Sequence, residues 1–125
     1  MPLLLHIATA LLFATGLAHS ILGERYILAR LFRRADLPKL FGGTAFTTGT
    51  LRFCWHLLTL AWWGLGYLIL LIAHDALTPA RVLQGIAAVA LLSALFPLLL
   101  TRGRHLSWLV FIAIGALLLA ASGKV

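Results

Sequence analysis

Four apolar runs, roughly 3–22, 51–73, 80–100 and 105–122, occupy most of a chain of 125 residues. Each approaches the ~20 residues that carry a helix across ~30 Å of hydrocarbon. Surrounded by lipid, such a run can only be helical, because every backbone amide and carbonyl must find its partner inside the segment. The expected fold class is therefore all-α: an integral membrane four-helix bundle, a single domain over 1–125. Composition supports this, at 62% hydrophobic and 10% charged, against about 25% charged in soluble domains. A soluble core of this size could not hide so much apolar surface. The start, MPLLLHIATALLFA, has no basic region before the apolar run. No small-residue cleavage site leads into a polar domain, so the first run is expected to be retained as a span.

The connections carry their own signals. Thr78-Pro79 opens the third run as an N-cap followed by proline in the first turn. Pro97 is expected to kink the far end of that run. Thr101-Arg102-Gly103-Arg104 is too short for anything but an antiparallel hairpin between runs three and four, and Trp108 marks a headgroup boundary. Arg25, Arg30, Arg33, Arg34, Lys39 and Arg52 precede the second run, and Arg102 and Arg104 follow the third. All of these fall on one side of the membrane, with only Arg81 and Lys124 on the other. The positive-inside rule then puts both termini of this multi-pass protein outside, and the compact, apolar design points to a bacterial inner membrane. The net charge of +7 is thus directed at anionic lipid headgroups rather than nucleic acid.

Between the first two runs, Ile27, Leu28, Leu31, Phe32 and Ala35 share one face of residues 25–36, opposite the arginines. Pro38 ends the pattern. This reads as an amphipathic helix lying at the headgroup layer. FGGTAFTTGT follows as a Gly/Thr loop whose last threonines are expected to cap the second span. It has neither the lysine nor the spacing of a phosphate-binding loop.

Polar residues within apolar helices tend to face the interior. Arg52, His56, Thr59, Trp63, Tyr67 and His74 form one stripe on the second span at 100° per residue, with Cys54, Trp55 and Trp62 elsewhere. Thr9, Gly16, His19, Ser20 and Gly23 form a face on the first span. Ala10, Ala14 and Ala18 form a small-residue ladder opposite, suited to close helix contact. His19 and His56 fall at matched depth, and with Ser20, Glu24 and His105 they make one end of the molecule its chemically richest region. Glu24 is expected to pair with Arg52 or a local arginine. His6, His74 and Asp75 form a thinner group at the other end.

Several chemistries can be weighed on these residues. Haem b needs axial histidines with small residues nearby, which His19 and His56 beside Gly16, Ser20 and Gly23 supply in outline. A metal site from His19, His56, His105 and Glu24 has suitable ligand types, but Glu24 lies off the His19 face and no HxxxH or ExxH spacing occurs. The single cysteine, Cys54, excludes an intrachain disulfide. No GxSxG motif occurs, and three acidic residues nearly exclude paired-carboxylate catalysis. Size and span number are similar to the small multidrug-resistance transporters, but those rely on a membrane-embedded glutamate in the first helix, and 3–22 contains no carboxylate. The expected role is a non-catalytic accessory or scaffolding subunit with no cofactor, working with a membrane protein partner or as a homo-oligomer. The alternatives are a haem b or metal redox subunit using His19 and His56, or lipid or quinone binding between the first two spans. For the last, the polar groove comprises Ser20, Glu24, Arg52, Thr59, Trp63, Tyr67 and His105.

Overall fold

A computed structural model describes residues 2–125, and among these the regular structure is helical. Helix α1 (Pro2–Leu22) runs through a π-helical segment, Gly23–Leu28, into the short α2 (Ala29–Leu31). After a loop come α3 (Ala45–Ala73), α4 (Pro79–Leu100) and α5 (Ser107–Ser122). Three continuous helices, Pro2–Leu31, α3 and α4, are long and apolar enough to cross a membrane. The fourth, α5, is a 16-residue apolar helix, about 24 Å long at 1.5 Å per residue.

The helices form an open row rather than a closed bundle. Among the described residues, α1 packs on α3, α3 on α4 and α4 on α5, with no helix packing between α1 and α4, α1 and α5, or α3 and α5. The physical reason lies in the solvent. Water drives soluble helices to close around a core, whereas lipid tails are as apolar as leucine and exert no such pull. Association then rests on close backbone approach and interhelical hydrogen bonds.

Glycines provide that approach. A Cβ on Gly16 would lie 2.6 Å from Trp63 Nε1, and one on Gly49 would lie 2.3 Å from the Leu100 carbonyl oxygen. The second contact seats the last turn of α4 directly on the first turns of α3. At α4–α5, Ala87, Ala90 and Ala94 are buried, and a Cβ on Gly115 would lie 2.5 Å from Leu91 Cγ. The Ala10, Ala14, Ala18 ladder, in contrast, is exposed. Among the described residues it meets no helix, because α1 uses its Thr9, Gly16 and Gly23 face instead.

Local signals fare unevenly. Thr78 caps α4 as expected, its hydroxyl accepting from the Arg81 amide at 3.2 Å with Pro79 at the first turn. Pro97 is buried inside α4, which continues to Leu100. The α4–α5 connection is the expected hairpin. α3, however, starts at Ala45, so Thr47, Thr48 and Thr50 lie inside it, and Thr44 stands at the N-cap without a side-chain bond. The start is earlier than apolar content suggests because Phe46 and Gly49 already pack, against His105 and Leu100 respectively. Residues 25–31 do not begin a new helix either. The π segment, where the Ala29 amide donates to the Glu24 carbonyl, carries α1 onward to Leu31, and turns follow.

Candidate functional site

α3 reads α1 through three donors one helical turn apart. Trp55 Nε1 donates to the His19 carbonyl at 3.0 Å, Thr59 Oγ1 to the Gly16 carbonyl at 3.0 Å and Trp63 Nε1 to the Phe13 carbonyl at 3.1 Å. The i, i+4, i+8 spacing on α3 meets i, i+3, i+6 on antiparallel α1, which keeps donors and acceptors in step along the crossing. Farther along, Thr9 Oγ1 donates to the Gly66 carbonyl at 3.4 Å.

A polar chain branches from the middle rung. Thr59 gives its only hydrogen to Gly16, so at the 2.8 Å contact with Ser20 it accepts, and Ser20 donates. Ser20 Oγ must then accept at its 2.9 Å contact with His56 Nδ1, which places a hydrogen on Nδ1. His56 Nε2 faces Glu24 Oε2 at 3.4 Å. Glu24 also receives a two-pronged contact from Arg52: Nε to Oε2 at 3.1 Å, and the terminal nitrogen to Oε1 at 2.7 Å. The Arg52 guanidinium lies 4.9 Å over the Phe32 ring.

Of the residues singled out in the sequence, Ser20, Glu24, Arg52, His56 and Thr59 thus come together, and the Glu24–Arg52 pair is the one anticipated. His19 does not join them. Its ring stacks on Trp55, with centroids 4.5 Å apart and planes within 2°, and meets Trp62 edge-on at 5.2 Å. His19 Nε2 lies 3.2 Å from the Trp55 carbonyl. His19 opens onto a cavity with Tyr26, Trp55 and Trp62, and His56 onto another with Phe96 and Leu99. His19 and His56 are therefore not turned toward a shared space, although they fall at matched depth.

His105 is separate as well. Its ring stacks on Phe46 at 5.8 Å and meets Phe53 edge-on at 4.8 Å, while Nδ1 lies 2.8 Å from Ser107 Oγ. It pins the α4–α5 turn against α3. Tyr67 leans on α4, where a Cβ on Gly85 would lie 2.6 Å from its ring. At the opposite end, His6 Nδ1 donates to the Pro2 carbonyl, and its Nε2 lies 3.4 Å from His74 Nε2. Among the described residues, no three His, Cys, Asp or Glu side chains converge as a metal site.

Because α1 and α4 flank α3 without packing their backbones on each other, a cleft runs between them with α3 as its floor. A cavity of about 570 Å³ occupies one end, bounded by Glu24, Arg52 and His56 on one side and Leu95, Phe96 and Leu99 on the other. A second, of about 400 Å³, continues along it past Trp63, Tyr67 and Gln84. Sequence reasoning placed Trp63 and Tyr67 in such a groove but missed the α4 wall. It also missed Trp55, which lies only 40° outside the stripe on the wheel and was close enough to include.

Comparison with known proteins finds no matching family model, no matching curated protein and no matching solved structure.

Proposed function

We propose that this protein is a non-catalytic accessory component of a bacterial inner membrane whose working element is the α1–α4 cleft, which takes up the apolar part of a lipid or quinone. The observation that carries this reading is the cleft itself: apolar walls of about 570 Å³ with one charged end, the layout of an amphiphile site. A structural role for the polar chain fits its geometry, since its hydroxyls and His56 Nδ1 are engaged by Gly16 and Ser20. A redox subunit would ask His19 and His56 to serve one group, and they open onto different cavities.

The rest of the proposed setting follows from charge and length. The arginine-rich end faces the cytoplasm and both termini lie outside. Residues 25–36 rest at the headgroup level, and α5 spans as the fourth helix, its shorter length met by local thinning or by flanking residues. Membrane protein partners or further copies would dock along the exposed faces of α1 and α5.

Native mass spectrometry after extraction in gentle detergents tests the cleft. A retained molecule of lipid or quinone mass is expected, and its loss on Leu95→Trp, which fills the cleft, would locate it. A bare protein across several such detergents would sink the reading.

A further inference from the structure

We propose that the charged end of the cleft is a phosphate site, so that the amphiphile held there is a phosphate-bearing one. This rests on the cleft reading above and names the head chemistry that the cleft accepts. A further cavity, of about 280 Å³, lies against the first turns of α3 and is lined by Thr48, Arg52, Arg102 and Arg104. It shares Arg52 and Leu100 with the apolar cavity. Polar and apolar spaces therefore adjoin, head beside tail.

Charge completes the argument. The chain has three acidic residues. Glu24 holds Arg52, Asp36 holds Arg34, and Asp75 follows the far end of α3. Among the described residues, Arg102 and Arg104 have no carboxylate partner, the latter lying instead 5.9 Å from the Phe41 ring. Three guanidinium groups against one carboxylate leave an excess of positive charge, which an anionic phosphate would offset. The three arginines also come from two elements, Arg52 from α3 and the other two from the α4–α5 turn. That suits a tetrahedral group whose oxygens point several ways, whereas a planar carboxylate is satisfied by a single fork.

The framework holds this arrangement in place. Gly49 admits the end of α4 against α3. Thr101 is buried, its hydroxyl donating to the Pro97 carbonyl and accepting from the His105 amide at 3.0 Å. The His105 ring then fastens the turn to Phe46 and Phe53. Arg102 sits at φ 54°, a left-handed position that costs an arginine free energy.

The test is native mass spectrometry of the full chain from nanodiscs holding phosphatidylglycerol, phosphatidylcholine, diacylglycerol and a quinone in equal amounts. Preferential retention of phosphatidylglycerol is expected, falling about tenfold for Arg104→Ala and for Arg102→Gly. Arg102→Gly keeps the turn, because glycine accepts its backbone angle. The matched control is Arg30→Ala, which removes the same charge away from the cavity and is expected to change retention little. Equal loss in that control would mean general attraction to the anionic headgroup and would overturn the site. Equal retention of all four probes, or preference for diacylglycerol or quinone, would overturn the phosphate inference and leave the cleft reading standing. Retention of none would end both. Added inorganic phosphate separates the sources: lipid that stays bound identifies a headgroup site, and displacement at millimolar phosphate identifies free phosphate as the ligand of the same arginines.

Discussion

Thr59 is the point where the α1–α3 interface is most economically probed. It is 5% exposed, and Thr59→Val keeps its shape while deleting the hydroxyl. Two bonds go with it, the donation to Gly16 and the acceptance from Ser20. An interhelical hydrogen bond in a membrane is worth about 0.6 kcal/mol on average, so the variant should lose about 1.2 kcal/mol. Ser20→Ala deletes the same shared bond and the contact with His56, again about 1.2 kcal/mol. The double variant removes three distinct bonds rather than four, for about 1.8 kcal/mol, which leaves a coupling of about 0.6 kcal/mol. Reversible unfolding in mixed micelles against mole fraction of SDS, followed by tryptophan fluorescence, measures all four proteins. Strict additivity of the two single variants would refute the chain of hydrogen bonds from Gly16 to His56, whatever their individual costs.

Other expectations concern single positions. Gly16→Ala brings a methyl to 2.6 Å from Trp63 Nε1, so α1 must shift and the same unfolding assay should register a loss of about 2 kcal/mol. An unchanged midpoint would show that the close approach is not real. Among the described residues, Thr50 Oγ1 is buried without a partner, so Thr50→Val should raise stability by about 1 kcal/mol; a midpoint that stays put or falls would refute this. Arg102→Gly should gain about 1 kcal/mol by relieving the left-handed backbone, so that stability and lipid retention move in opposite directions. In the loop, the bond from Arg34 holds the Asp36 carboxyl below its ordinary value, and the same bond raises the guanidinium. Its contribution is present above the ordinary aspartate value and is lost as pH falls through the lowered one. An NMR titration of the Asp36 carboxyl should give a midpoint below that of a free aspartate. Asp36→Asn should lower the neutral-pH unfolding midpoint only slightly, because both side chains are exposed.

The features legible in the sequence are those that depend on one segment at a time. Apolar length located the helices, Thr78-Pro79 fixed the start of α4, and the shortness of 101–104 forced the hairpin. The Glu24–Arg52 pair was also within reach, because few acids were available and both residues flank apolar runs at one end. Choices between segments were not legible. Ala10, Ala14 and Ala18 carry the same small-residue signal as Gly16 and Gly23, and periodicity alone cannot say which face a partner will take. The indole donors decide it, since Trp55 and Trp63 reach α1 carbonyls only where glycines leave room. Matched depth put His19 beside His56, but neighbouring residues on a helix point about 100° apart. Ser20 faces His56, so His19 is turned away onto Trp55. The open row was hidden for a similar reason: hydropathy reports that a helix meets lipid or protein, not which.

Depth along α3 orders the site. Side-chain exposure falls from 36% at Arg52 to 17% at His56, and Thr59 one turn farther is 5% exposed. The step from Arg52 to Thr59 is about 10 Å along the helix, from its exposed edge into the α1–α3 contact. An unpaired polar group becomes more costly along that path, and the partners change accordingly. Thr59 and Ser20 are satisfied within the chain, His56 is shared between a hydroxyl and a carboxylate, and Arg52 is held by Glu24 at the edge of open space. Arg102 and Arg104, on the exposed α4–α5 turn, are left without an anionic partner among the described residues. The free valence of the site is thus cationic and lies at the mouth, directly above an apolar cavity. Removing a hydroxyl at depth should therefore loosen the α1–α3 contact without changing what the mouth selects. Removing a guanidinium at the mouth should change selection while the helices stay together.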